Sequence, residues 1–162
     1  MNVEEVFYDY NQIRVAVNEL QHKIVESGFT PDLIISIARG GLVTTGILSQ
    51  NFKVPIVSVN YSSKEGQGND KHHINDLKHV TQYVRWLYYE QKYKKLNVLI
   101  VDDIIDSGAT MNDIIIALNM STRGIKSLKT AVLFYRISAI VKPDYYWTVL
   151  HDDRWVMFPW EI

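Results

Sequence analysis

The apolar residues of this chain occur in short continuous runs that alternate with stretches of helical spacing. Residues 98–101 (VLIV) form such a run, bounded by polar residues on both sides. The run is short enough for a strand that is buried on both faces of a parallel sheet. Beyond it, apolar residues recur every three or four positions, at Met111, Ile114, Ile115 and Leu118. The pattern predicts a buried strand that leads into a helix.

The same alternation extends along most of the chain. Further strands are predicted at 32–37, 55–60, 127–134 and 145–150, and helices at 10–27, 42 to about 50, and 75–94. This order of elements is typical of an α/β protein with a mostly parallel central sheet flanked by helices.

Candidate chemistry follows the strand at 98–101. Asp102 and Asp103 come directly after it, and Asp106 precedes a turn of small residues at 107–110. Such a turn places free backbone N–H groups and a helix dipole at the carboxyl edge of a sheet, where phosphate binds well. Three carboxylates nearby favour a ligand that also presents hydroxyls, a Mg²⁺ ion or a developing positive charge, and a sugar phosphate fits all three. The alternative is a structural turn with only a helix N-cap.

A second turn of interest follows the strand at 32–37. It contains Ala38, Arg39, Gly40 and Gly41. Two glycines allow a tight turn with free N–H groups, and the arginine adds a fixed positive charge. The alternative is a simple strand-to-helix turn with an arginine that faces solvent.

Composition narrows the class of protein. The chain has 162 residues, of which 47% are hydrophobic, and this suits one packed domain. The net charge of −1 gives no general attraction to nucleic acid or to an anionic membrane. There is no cysteine, no apolar run near the roughly 18 residues that span a bilayer, and no basic-then-apolar leader. We therefore expect a soluble cytoplasmic protein that binds neither membranes nor nucleic acid.

Residues 97–110 (NVLIVDDIIDSGAT) closely resemble the phosphoribosyl-pyrophosphate (PRPP) signature of type I phosphoribosyltransferases. The shared pattern is an apolar strand, two acids, two apolar residues, Asp, and Ser/Thr-Gly-x-Thr. The resemblance implies that Asp102 and Asp103 bind the ribose hydroxyls, directly or through Mg²⁺. It implies that Asp106 is the catalytic group beside purine N7. The 5′-phosphate would be held by Asp106 together with Ser107, Gly108, Ala109 and Thr110.

Two other segments fit this family. The sequence ISIARGGLV is similar to the pyrophosphate loop of the purine phosphoribosyltransferases, so Ala38, Arg39, Gly40 and Gly41 would hold pyrophosphate. The resemblance also implies a non-proline cis peptide bond near Ala38–Arg39. The polar stretch 61–71 stands where the family has a flexible loop that closes over PRPP, with Tyr61, Ser62 and Ser63 as its candidate contacts.

The C-terminal sequence DDRWVMFPWE resembles the hood of the xanthine–guanine phosphoribosyltransferase group. By that resemblance Trp155 stacks on a purine, and the backbone of Val156 and Met157 reads the edge of the base. Arg136 stands where the family typically has a lysine that donates to the purine 6-oxo group. Glu161 would contact a second Mg²⁺, in addition to the one at Asp102 and Asp103.

The resemblance implies a purine-salvage enzyme that transfers the phosphoribosyl group of PRPP to N9 of guanine, xanthine or hypoxanthine. Residues 1–162 would form one domain, with a core at about 30–150 and a hood from about 1–10 and 150–162. Extra aromatic residues in the helix at 75–94 agree with a homodimer or homotetramer. Two alternatives stay open: a regulator of the same fold that binds PRPP or a nucleotide without catalysis, and an enzyme for another base.

Overall fold

The structure is a computed structural model that describes residues 4–60, 77–121 and 123–161. The predicted loop contacts Tyr61, Ser62 and Ser63 lie outside these residues. No helix within the described ranges is long and apolar enough to cross a membrane.

Seven strands and four helices make up the described part of the chain. In chain order they are β1 (Glu5–Phe7), α1 (Tyr10–Glu26), β2 (Leu33–Ala38), α2 (Gly41–Phe52), β3 (Ile56–Asn60), α3 (Leu77–Glu90), β4 (Leu96–Ile105), α4 (Ala109–Ser121), β5 (Ile125–Arg136), β6 (Tyr145–Leu150) and β7 (Trp155–Met157).

Five strands form the central sheet in the order β3-β2-β4-β5-β6, and every pair is parallel. Buried residues of α1 and α2 pack against one face of this sheet, and those of α3 and α4 pack against the other. Alternate residues of β4 enter the two layers, since Val98 and Ile100 join the α3–α4 side while Leu99 and Val101 join the α1–α2 side. All four are fully buried, which explains the unbroken apolar run in the sequence. The predicted α/β fold is confirmed.

The central strand is longer than its apolar run. Pairing with β5 continues from Asp102, opposite Val132, to Ile105, opposite Tyr135, so the acidic pair lies within the strand and not after it. The expected strand end at residue 101 was therefore wrong, because backbone pairing with β5 continues where the apolar pattern stops.

The last turn predicted for the helix at 75–94 was also wrong. Lys92 and Tyr93 take left-handed backbone conformations that an α-helix excludes, and α3 ends at Glu90.

The two ends of the chain form a small second sheet beside the main one. β1 runs parallel to β7, with Val6 opposite Val156. The pairing is extended on both sides, because Tyr8 N donates to Met157 O at 3.1 Å and Trp155 N donates to Glu4 O at 2.8 Å. Val156 and Phe158 are buried in the same core layer as α1. This confirms the predicted hood, which is anchored by apolar burial.

Candidate active site

The carboxyl ends of β2 and β4, the end of β5 and the hood enclose a cavity of ≈ 840 Å³. This volume lies within the roughly 300–1,000 Å³ of small-molecule sites. The cavity brings together predicted residues from three separate motifs: Ala38, Arg39, Gly40, Asp103, Asp106, Arg136, Trp155, Val156 and Glu161. The predicted residues outside its lining are Gly41, Asp102, Met157 and the turn Ser107, Gly108, Ala109 and Thr110.

The turn after β4 is held in place by a neighbouring segment. Ile140 N donates to Ser107 O at 2.9 Å, and Ser107 Oγ accepts from Ala109 N at 3.3 Å. Gly108 has a φ of +87°, and a Cβ there would lie 2.9 Å from Val141 N, so only glycine fits without strain. The first N–H groups of α4 have no partner within the helix, and they point outward beyond its N-terminal end. The turn thus presents backbone N–H donors directly after Asp106 in the chain, which is the arrangement that an anion site requires.

The turn after β2 approaches β4 closely. A Cβ on Gly40 would lie 2.1 Å from Asp103 Oδ2, and one on Gly41 would lie 2.6 Å from Val101 O. Real Cβ atoms essentially never come this close to another heavy atom. The peptide bond between Ala38 and Arg39 is cis, as the family resemblance implies. Close tertiary contacts therefore favour glycine at both positions, and Arg39 lines the cavity together with Asp103.

In the acidic pair, Asp103 is buried and Asp102 is half-buried, and both carboxylates bond the adjacent backbone. Asp102 Oδ1 accepts from Asp103 N at 2.9 Å, and Asp103 Oδ1 accepts from Ile104 N at 2.8 Å. Burial raises the pKa of Asp102 well above its ordinary value, and the charge of Asp103 raises it further. Burial also raises the pKa of Asp103, to which the charge of Glu161 adds, while hydrogen bonds from Asp102 and Ile104 oppose the rise. Without a ligand, the site thus holds negative charge at a free-energy cost.

This cost predicts a gain in stability when one charge is removed. A carboxyl group whose pKa is raised in the folded state stabilises the fold below its unfolded pKa and loses that contribution as pH rises through the folded pKa. Asp103→Asn keeps an acceptor for Ile104 N but cannot ionise. We expect this variant to melt above the wild type near neutral pH, with each kcal/mol worth about 2–4 °C. The measurement is thermal unfolding of the ligand-free protein across pH.

The difference in melting temperature between Asp103→Asn and the wild type should disappear in acid, because Asp103 of the wild type is then protonated and uncharged. Asp153→Asn, which neutralises an exposed carboxylate, is the matched control and should leave the melting temperature nearly unchanged. A variant that melts below the wild type at neutral pH would show that the Asp103 charge stabilises the fold.

Asp106 and Arg136 form an ion pair in the cavity wall. Arg136 Nε donates to Asp106 Oδ1, Nη1 donates to the carbonyl of Asp152, and Nη2 donates to the carbonyl of Arg154 at 3.3 Å. Asp106 itself is open to solvent, with 63% of its side chain exposed. The sequence predicted contact of each residue with the base but did not predict this pairing, since the two residues are 30 positions apart.

The hood supplies an aromatic wall. Trp155 is 53% exposed, whereas Val156 before the C-terminal turn is buried. Trp160 stacks on Phe158 with ring centroids 4.7 Å apart and planes at 12°. Both of these rings line the cavity. Four apolar residues of the lining were missed, and their only signal was a position beside or within a predicted motif: Leu42, Val43, Ile104 and Phe158.

Within 4–60, 77–121 and 123–161, no group of three or more His, Cys, Asp or Glu side chains is placed to hold a metal ion. The carboxylate of Glu161 accepts a hydrogen bond from Phe158 N at 3.0 Å and closes the last turn. Mg²⁺ commonly takes only one or two protein carboxylates and completes its shell with water and substrate phosphates. Asp102 and Asp103 fit that requirement if the ligand brings the remaining oxygens.

Comparison with known proteins gives a consistent match. The family model for the phosphoribosyl transferase domain matches residues 5–162. The xanthine-guanine phosphoribosyltransferase of Idiomarina loihiensis is 23% identical over 158 residues, which cover 98% of this chain and 88% of that protein. The enzyme of the same name from Chromohalobacter salexigens is 26% identical over 159 residues, or 94% and 82% of the two chains. The crystal structure of a purine phosphoribosyltransferase from Pyrococcus horikoshii superposes with a TM-score of 0.72 at 27% identity, covering 98% and 95%.

Proposed function

This chain belongs to the phosphoribosyl transferase domain family, and we propose that it makes a purine nucleoside 5′-monophosphate and pyrophosphate from PRPP and an oxo-purine. The observation that carries the proposal is the shared cavity. The Arg39 turn, Asp103, Asp106 and Trp155 all line it, although they come from three motifs far apart in the chain. Each of these groups matches the chemistry of one part of the two substrates.

The ribose 5′-phosphate is assigned to the turn after β4. The amides at the start of α4, with the Ser107 and Thr110 hydroxyls, present donors to an anion at the positive end of the helix dipole. Asp102 and Asp103 lie near the end of β4, before this turn, and their carboxylates accept hydrogen bonds from the ribose hydroxyls. Their ordered hydrogen bonds to backbone N–H groups orient the carboxylates before the ligand arrives.

The pyrophosphate is assigned to the turn at Ala38, Arg39, Gly40 and Gly41. The closeness of Gly40 to Asp103 supports a pyrophosphate site beside the ribose site. Arg39 offsets the negative charge of the departing phosphates. Mg²⁺, held by Asp102 and Asp103 with oxygens of PRPP, would neutralise charge on the leaving group. Glu161 is the candidate for a second cation.

Catalysis would consist mainly of charge stabilisation. The bond from ribose C1′ to pyrophosphate breaks with its electron pair on the leaving oxygen, and N9 of the base forms the new bond to C1′. As the base gives up a proton, Asp106 accepts it or stabilises it at N7. The carboxylates around the ribose stabilise the oxocarbenium character that develops at C1′.

The base is assigned to the hood. Trp155 presents an exposed indole face for stacking, and the backbone of Val156 and Met157 lies along the base edge. The guanidinium of Arg136 lines the same wall and donates to a 6-oxo group. These contacts support an oxo-purine as the substrate class. Loop closure by Tyr61, Ser62 and Ser63, a cytoplasmic location and a homodimer or homotetramer stay predictions.

Removal of the Trp155 ring is expected to weaken base binding selectively. Stacking of a base on an aromatic side chain contributes about 1–3 kcal/mol, so Trp155→Ala should raise KM for the purine roughly 5- to 150-fold. KM for PRPP should change little, because the ribose and phosphate contacts are elsewhere. Steady-state kinetics with each substrate varied in turn makes the measurement.

Trp86→Ala is the matched control, because Trp86 on α3 is 51% exposed and lies outside the cavity lining. Trp155→Phe should recover most of the lost affinity. Equal increases in KM for both substrates would argue against a base-stacking role for Trp155.

The reaction itself is tested by incubating the full chain with PRPP, Mg²⁺ and guanine, xanthine or hypoxanthine in turn, then with a pyrimidine and with nicotinamide, while binding of PRPP and of a nucleotide is measured separately. We expect a nucleoside monophosphate and pyrophosphate in equal amounts with at least one of the three bases. If only a pyrimidine or nicotinamide is consumed, the enzyme class holds but the purine assignment fails. If none of these bases is consumed while PRPP or a nucleotide still binds, the protein is a regulator of the same fold.

A further inference from the structure

Arg136 lies where three parts of the cavity wall meet. It is the last residue of β5, and its side chain is only 15% exposed. Its Nε contacts the carboxylate of Asp106, and its two terminal nitrogens contact the carbonyls of Asp152 and Arg154. One guanidinium thus joins the loop that follows β4 to the segment that leads into β7.

The segment at 152–154 has other polar contacts, but they tie it to itself or to the chain start. Arg154 N and the Arg154 guanidinium both bond the side chain of Asp152. Trp155 N, the next donor along, bonds Glu4 O at 2.8 Å within the hood. Of the hydrogen bonds that residues 152–154 make within the described part of the chain, those with Arg136 reach the central sheet.

We propose that Arg136 is a positioning residue that holds the stacking residue Trp155 in register with the carboxylate of Asp106 before the base arrives. This inference rests on the proposed function for its kinetic consequence but not for its structural one. A planar fork suits the task, because its donors point in fixed and different directions. A lysine has one nitrogen on a flexible stem and cannot hold three acceptors on two segments with the same geometry.

The same guanidinium still has capacity for the base. Arginine carries five N–H donors, and these three bonds use three of them, so two are left over in a residue that lines the cavity. A 6-oxo group that accepts from one of these two donors would not have to replace Asp106 or a carbonyl of the hood as a partner. Base contact and hood positioning are therefore separable, and a substitution can remove one while it preserves the other.

The structural part is tested by hydrogen exchange on the ligand-free chain. In Arg136→Lys, the backbone amides from 152 to 157 should exchange faster by about 10-fold or more, since each 1.4 kcal/mol of lost local stability gives a factor of ten. Amides of β4, such as those of Val98 and Ile100, should keep wild-type protection. Arg14→Lys makes the same chemical change on the exposed face of α1 and is the control.

The kinetic part separates positioning from a general loss of structure. We expect Arg136→Lys to raise KM for the purine about 10-fold or more and to leave KM for PRPP within a factor of about two. Arg136→Gln, which retains two donors but no charge, should show the same hydrogen-exchange change and a larger purine KM. If Arg136→Lys does not fold, Arg136→Gln takes its place in both measurements.

Unchanged exchange at 152–157 in both folded variants would overturn the proposal, whatever the kinetics show. A rise in KM for the purine without that change would leave Arg136 as a base contact only. Faster exchange in a chain that consumes no base would instead support the positioning role and remove the proposed function, so the two failures are distinguishable.

Discussion

Replacement of Asp106 by asparagine is expected to reduce turnover by about 10²–10⁴-fold, the usual contribution of a positioned general acid–base group. Asparagine keeps the shape of the side chain and an oxygen acceptor for Arg136, but it cannot take a proton. Because Asp106 is 63% exposed, the substitution should leave the melting temperature close to that of the wild type. The measurement is kcat at saturating PRPP and purine, with thermal unfolding in parallel.

The control for Asp106→Asn is Glu26→Gln, which neutralises an exposed carboxylate at the end of α1. Its turnover should match that of the wild type. If Asp106→Asn loses less than about 10-fold in kcat, then proton transfer at Asp106 contributes under 1.4 kcal/mol to the barrier. That outcome would remove Asp106 from the proposed mechanism and leave it as the partner of Arg136.

Substitution of Gly40 by alanine is expected to have the next largest effect. A Cβ at this position would lie 2.1 Å from Asp103 Oδ2 and 2.4 Å from its Cγ, so either the turn or the carboxylate must move. Displacement of reacting groups by about 1 Å can cost 10²-fold in rate. We therefore expect kcat/KM for PRPP to fall about 10²-fold or more, as measured by initial rates with PRPP varied.

Gly46→Ala is the matched control within α2, because no atom lies within 4 Å of the position its Cβ would take. In a helix interior this change should stabilise the protein by roughly 0.5–1 kcal/mol and leave kinetics unchanged. If Gly40→Ala retained wild-type kcat/KM for PRPP, the close fit between the Arg39 turn and Asp103 would not be needed to bind the pyrophosphate group.

Much of the fold could be predicted because the core strands carry an unmistakable apolar pattern. The run at 98–101 becomes the fully buried centre of β4, and β6 has the bounds that its sequence predicted. Local signals failed where pairing between strands decides the outcome. The acidic pair lies within β4 because β5 continues beside it, and no local feature of residues 102–103 indicates that.

The site was predictable to the extent that family motifs encode it. Motifs brought Arg39, Asp106 and Trp155 to attention, and the structure places all three around one cavity. What the sequence could not provide were contacts between motifs. The closeness of Gly40 to Asp103 and the three bonds of Arg136 depend on how separate segments pack, and each connects residues at least 16 positions apart.

The central claim is that one cavity holds an activated ribose between the turn after β4 and the Arg39 turn, with the base against the hood. The most direct measurement is a crystal structure of the chain with guanosine or inosine 5′-monophosphate. We predict the 5′-phosphate at the amides of Ser107 to Thr110, the ribose at Asp102 and Asp103, and the purine against Trp155 with its N7 edge towards Asp106. A nucleotide whose phosphate lies away from that turn, or whose base leaves Asp106 and Trp155 untouched, would contradict the account.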